Sequence, residues 1–264
     1  SVIRLLHASL AHRYADQARQ PLEGYDEHES ARPMKAILVL IAALAFAIAP
    51  FLSPEFGGFD PTRYPVPQDD PPVQPAGWAF SIWGLIYVVL IAHAVFGLAQ
   101  HRNDEAWQRG RIALIVSLAV GASWLPVALL SPVWATVLIW VMLVSVLVAL
   151  FQTEGARPPW QAHWPLALYA GWLTAASFVS IGLLLAGYGV VSEVIAAIVA
   201  LALATGFAAL NQIKLGHWPY GAGVAWGFAG IAAKNVGSQM LVSGLAATAA
   251  LFIVAVALYQ LRRT

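Results

Sequence analysis

The sequence predicts an all-α protein, a polytopic membrane bundle of about eight transmembrane helices. Three observations carry this. The chain of 264 residues is 60% hydrophobic and only 10% charged. A soluble domain carries roughly 25% charged residues, so most of this surface faces something other than water. Long apolar stretches recur at about the twenty-residue length of one bilayer crossing. They are rich in Ala and Leu and lack strict alternation, which favours helix over strand.

In order, the spans fall at about 36–53, 76–98, 112–130, 133–151, 165–187, 190–210, 218–234 and 239–261. The first and seventh are short. Only Ser131-Pro132 separates the third from the fourth, which reads as a tight helical hairpin. Basic residues set the direction. With a cytoplasmic N-terminus, one side holds Arg4, Arg13, Arg19, Arg32, Lys35, Arg102, Arg109, Arg111, Arg157, Lys214, Arg262 and Arg263. Only Arg63 and Lys234 fall on the other side, with the acidic 53–74 loop. Twelve of the 14 Lys and Arg on one face fits the positive-inside rule and places both termini in the cytoplasm. If the cell is bacterial, the membrane is the inner membrane.

The absence of Cys excludes disulfides, iron–sulfur clusters and thiolate zinc sites. A net charge of +1 gives no field that favours nucleic acid. No P-loop, nucleotide-binding glycine fingerprint or Ser/His/Asp arrangement is present, so an enzyme is not expected.

Residues 1–33 form a separate N-terminal cytoplasmic segment. Ser1 to Gln20 reads as a helix with Val2, Ile3, Leu6, Leu10 and Tyr14 towards one side, lying on the membrane or serving as a docking arm. Residues 21–33 read as a polar, acidic linker, and Met34-Lys35 looks like a natural protein start.

The most informative stretch is the loop at 53–75 and the helix after it. Eight of the 16 prolines lie between Pro50 and Pro75, and they stiffen the loop without making it helical. Phe56, Phe59 and Tyr64 are apolar enough to fold back onto the bundle, so the loop is either a lid or an ordered connector. The next helix carries Phe80, Trp83 and Tyr87 on one face. That stripe can line a pocket for a flat apolar ligand, but from spacing alone packing against neighbouring helices is the simpler reading.

These residues, with two more stretches, carry a resemblance. Residues 34–187 resemble the TspO/MBR family, the tryptophan-rich sensory proteins related to the mitochondrial translocator protein. The proline-rich first loop is followed by Phe80-Ser-Ile-Trp83-Gly-Leu-Ile-Tyr87. The third helix contains Trp124. The fifth reads Pro165-Leu-Ala-Leu-Tyr169-Ala-Gly-Trp172-Leu-Thr-Ala175, similar to a Pro-Tyr-x-x-Trp-x-x-x-Ala signature with altered spacing at its start. The resemblance implies a five-helix core at 34–187, joined here by three additional helices within 188–264, as in a long form of the family. It implies a sensory or regulatory membrane protein that binds a tetrapyrrole (porphyrin or heme) or a sterol-like lipid beneath the first loop. By position Trp78, Phe80, Trp83, Tyr87, Trp124 and Trp172 are the ligand-binding candidates. The chain departs from the family pattern where Asn is frequent: Gly121 stands before Trp124, and Val179 and Ser180 stand late in the fifth helix.

Other residues invite weaker readings. Glu193 and Lys234 lie near the loop side and are placed to pair. His93 can ligate a porphyrin metal or simply bond locally; with no second His in helical reach, no metal site is expected. Gly223 and Gly227 read as a close-packing face, internal or dimeric, with internal favoured. Val256 to Arg262 fits a loose cholesterol-contact pattern, and Tyr259 with Arg262 and Arg263 reads more simply as an interfacial anchor. Two alternatives to ligand sensing stand. One is an accessory subunit of a larger membrane complex, a photosynthetic one included, joined through residues 1–33 and the C-terminal helices. The other is a secondary transporter, ranked last because no repeat relates 34–151 to 165–261. A homo-oligomer and contacts with membrane lipids are also expected.

Overall fold

The computed structural model describes residues 27–53 and 58–262. Phe56, Arg263 and the expected N-terminal surface helix lie outside the described residues. Among these residues every regular element is helical. The long helices are α1 (Glu27–Ile48), α2 (Ile82–Ala99), α3 (Glu105–Leu130) and α4 (Pro132–Gln152). A single turn, α5 (Pro159–Ala162), precedes α6 (Trp164–Gly187), α7 (Glu193–Leu215), α8 (Trp218–Lys234) and α9 (Met240–Leu261).

Seven of these helices are long and apolar enough to cross a membrane. The exception is α8, whose 17 residues fall short of the usual crossing length. It occupies the seventh expected span with the expected bounds. Other boundaries moved both ways: α2 starts at Ile82 rather than 76 and α7 at Glu193 rather than 190, while other ends lengthened. Helix α1 begins at Glu27, inside the stretch expected to be a linker, and includes Pro33. Helix α3 starts at Glu105 rather than 112 because the Asp104 carboxylate accepts from the Ala106 and Trp107 amides. Helix α7 runs to Leu215, where Gly216 takes the left-handed conformation, φ 67°, that closes the helix. The tight hairpin is present: Ser131 ends α3, and its hydroxyl accepts from the Trp134 amide at 3.3 Å to start α4.

Helix α6 is the axis of the bundle. Two-thirds of its apolar window is buried (67%), against half or less for every other crossing helix. It packs against α4, α7 and α8, while α3 pairs with α4 and α9 covers α7 and α8. Helices α6 and α8 approach backbone to backbone. A Cβ on Gly171 would lie 2.0 Å from the Tyr220 carbonyl, and one on Gly223 would lie 2.6 Å from the Leu168 carbonyl. Gly227 faces Ala175 across the same seam. The Gly223/Gly227 face is therefore internal packing, with backbone against backbone.

On the side away from the proline loop, polar groups tie the turns together. Arg111 is buried and its guanidinium donates to the carbonyls of Gly97, His101 and Arg102 at 2.8–3.0 Å, capping the end of α2. The Trp107 ring is sandwiched between His93 and His101, with centroids 5.0 and 4.4 Å away.

Candidate ligand pocket beneath the proline strap

Residues 58–81 form a strap laid over the bundle, and small residues on the helices receive it. The Asp60 carboxylate accepts from the Thr62 hydroxyl and amide at 2.7 and 2.9 Å, which starts a turn at 61–63 and holds its pKa below the usual carboxylate range. The next side chain, Tyr64, is buried against Gly187, where any Cβ would strike its ring. Burial pushes its phenol above its usual range. The Val66 amide donates to the Gly187 carbonyl at 2.8 Å, and Val73 fits against Gly182.

The second half of the strap is fixed to α8. Lys234 Nζ lies 2.8 Å from Asp70 and donates to the Pro71 carbonyl at 3.3 Å. Asn235 Nδ2 donates to the Pro72 carbonyl at 2.8 Å. The Ala76 amide donates to the Gly230 carbonyl at 3.0 Å, and Trp226 Nε1 donates to the Ala79 carbonyl at 2.8 Å. Strap and helix thus run side by side from Asp70 to Ala79. The Lys234 partner corrects the sequence expectation: Lys234 pairs with Asp70, because the strap reaches it, and not with Glu193.

Under this strap lies an apolar pocket. Phe59, Gln74 and Pro75 roof it, Phe80 and Trp83 form one wall, and Trp124 and Trp172 form another. Val179, Ser180 and Gly227 complete the floor. Four of the six candidates drawn from the sequence, Phe80, Trp83, Trp124 and Trp172, meet here. Tyr87 sits one layer deeper, stacked on Trp83 with centroids 5.6 Å apart. Trp78 is not in the pocket; it is half exposed and packs edge-on against Trp226 on the outer face. It precedes the helix, in the 3-10 turn at Gly77–Ser81, so helical spacing does not carry it to the face of Trp83.

The aromatic stripe both lines the pocket and packs. Trp172 meets Phe80 and Trp83 edge-on at 5.9 and 6.1 Å. Phe46 of α1 meets Trp83 and Tyr87 at 5.7 and 5.1 Å. Phe46 also explains one departure from the family pattern, since a Cβ on Gly121 would lie 2.8 Å from its ring. The room that an Asn would need is taken by an aromatic ring from α1.

The chemistry of this lining suits a flat, apolar ligand. Polar groups are few: Trp124 Nε1 donates to the Ala135 carbonyl at 2.9 Å and Ser180 to the Ala176 carbonyl at 3.0 Å. Trp172 Nε1 is buried and has no partner among the described residues. The free space is about 60 Å³, well below the roughly 300–1,000 Å³ of a ligand cleft. A tetrapyrrole therefore requires the roof or the rings to move. Among the described residues no His lines the pocket to hold a porphyrin iron. His93 lies away from it, with Nδ1 bonded to the Gln161 carbonyl at 2.8 Å, and among the described residues no cluster of His, Asp and Glu is arranged for a metal.

One signal in the sequence went unread. His-Trp-Pro occurs twice, at 163–165 and 217–219, at the starts of α6 and α8. The two histidine rings stack with centroids 4.5 Å apart, and Trp164 meets Trp218 edge-on at 5.5 Å. The repeat marks the parallel pairing of α6 and α8.

Among the described residues, a helical bundle with seven helices long and apolar enough to cross a membrane, enclosing an apolar pocket under a proline strap, defines a polytopic integral membrane protein. The chain belongs to the TSPO-like protein family, whose sequence profile matches residues 34–259. The match runs from within α1 to within α9. No curated protein and no solved structure matches the chain.

Proposed function

We propose that this protein is a non-enzymatic sensory or regulatory protein that binds a flat apolar ligand, a tetrapyrrole or a sterol-like lipid, beneath the strap. The observation that carries the reading is the convergence of Phe80, Trp83, Trp124 and Trp172 on one apolar pocket roofed by residues 59–75. Both faces of such a ligand would meet aromatic rings, and the unmet Trp172 Nε1–H offers a donor to an acceptor on its rim. The 12 to 2 division of Lys and Arg supports cytoplasmic termini in a bacterial inner membrane.

The test is titration of the purified protein with protoporphyrin, followed by Trp fluorescence, beside Trp83→Ala. Saturable quenching that weakens in the variant is expected. Absent quenching, or quenching the variant leaves unchanged, overturns the site. A second reading, an accessory subunit of a larger membrane complex, is favoured by the small free space of about 60 Å³. It requires co-purification with partner proteins and no saturable ligand.

A further inference from the structure

A second concavity lies on the outside of the bundle, facing lipid. Helices α2 and α8 form its walls, with Leu85 and Val89 on one and Ala222 on the other, and Leu168 of α6 forms its floor. Its volume is about 510 Å³. It exists because the strap fills the space between α2 and α8 over only part of their length. The strap ends where Trp226 bonds the Ala79 carbonyl, and beyond that point the two walls stand apart.

The depth of the groove matches one leaflet. Its lining on α8 runs from Trp218, the first residue of the helix, to Trp226, the middle one. At 1.5 Å per residue that is about 12 Å, close to half of a hydrocarbon core of roughly 30 Å. A partner's transmembrane helix would need a seat along the whole core, and the strap and Trp226 block the other half. An acyl chain from one leaflet needs only this depth.

The open end is built for an interface. Trp160, Trp164 and Trp218 ring it, as Trp side chains do at headgroup level. Arg157 stands three residues before Trp160 and is exposed. Its charge acts on both His163 and His217, the residues directly before Trp164 and Trp218. It forms no ion pair among the described residues. A cation therefore stands beside the aromatic mouth of an apolar groove.

We propose that this groove holds an acyl chain of one phospholipid from the leaflet opposite the strap, with the lipid phosphate at Arg157. The site is separate from the pocket beneath the strap and does not depend on any ligand there.

The test is native mass spectrometry of the full chain, extracted in mild detergent and supplied with dioleoyl phosphatidylglycerol or dioleoyl phosphatidylcholine. The wild type is expected to retain one lipid through delipidation. Ala222→Trp and, on the other wall, Leu85→Trp fill the groove and are expected to lose that lipid, with unchanged helicity by circular dichroism. Arg157→Gln is expected to weaken phosphatidylglycerol retention by roughly five-fold, the effect of one basic residue at a lipid surface. Trp83→Ala, in the strap pocket, leaves retention unchanged. Three results overturn the proposal: no lipid retained by the wild type, retention that both groove-filling variants preserve, or a dimer of this chain that Ala222→Trp abolishes. The last would show the groove to be a contact between copies.

Discussion

Asn235 and Pro72 are 163 residues apart in sequence, yet Asn235 Nδ2 donates to the Pro72 carbonyl at 2.8 Å. The same nitrogen donates to the Ile231 carbonyl at 2.8 Å, so one buried amide joins the last turn of α8 to the strap. The roof of the pocket is thereby held by a helix in the last third of the chain.

Removing that amide should loosen the roof. Asn235→Ala leaves the Pro72 carbonyl without its donor and is expected to cost about 1–3 kcal/mol. Hydrogen exchange at Gln74 and Ala76 should accelerate well beyond exchange in α4. Equal protection in variant and wild type would show that the strap is held without it.

The α6–α8 seam should tolerate no side chain at its closest point. Gly171→Ala puts a Cβ 2.0 Å from the Tyr220 carbonyl, and backbone on both sides leaves nothing to yield. The expected cost is at least about 3 kcal/mol, the upper end for overpacking. Gly206→Ala meets nothing within 4 Å and should be neutral or stabilising by up to about 1 kcal/mol. Thermal unfolding of the two variants in the same detergent separates them; equal midpoints would contradict the seam.

Phe46 and Gly121 should be coupled. Gly121→Asn alone drives Phe46 from Trp83 and Tyr87 and is expected to cost about 1–3 kcal/mol. Combined with Phe46→Ala, the double variant should be more stable than the sum of the single losses, by about 0.5–3 kcal/mol. Strict additivity would mean that the ring does not occupy the space of the Asn.

The stacked histidines give a pH dependence. Burial, then His163, then Arg157 hold His217 at about 4, below its usual 6.5. Burial likewise lowers His163, whose Nε2 lies 2.9 Å from the Thr153 carbonyl, with Arg157 lowering it further and Glu154 opposing. The unfolded chain binds these protons more readily than the folded one. Stability is therefore full above about pH 6.5 and falls as pH drops towards 4. His217→Gln should flatten the loss between pH 6.5 and 4.5 in thermal scans; an unchanged slope would assign the loss to other groups.

Much of the fold was legible in the sequence because lipid imposes a simple rule. Each crossing must be long, apolar and helical, so the spans and the Ser131 hairpin could be read without knowing any contact. The aromatic spacing likewise placed Trp83 and Tyr87 on one face of α2. Trp78 was misplaced because one turn of 3-10 geometry rotates it away, and apolar residues do not reveal that turn. The Lys234–Asp70 pair and the latch at Asn235 were invisible because a strap's landing point depends on the small residues of helices far along the chain, Gly182, Gly187 and Gly230.

The sequence by itself determined the order and approximate position of the long apolar helices and the composition of the strap, since these follow from residue-by-residue transfer into lipid. Tertiary structure alone decided which face of each helix turns inward. It also decided how closely α6 and α8 approach and where the strap stops short of the lipid groove. Those outcomes depend on shape between distant segments: a missing Cβ admits a ring or a carbonyl, and no local pattern records which one arrives.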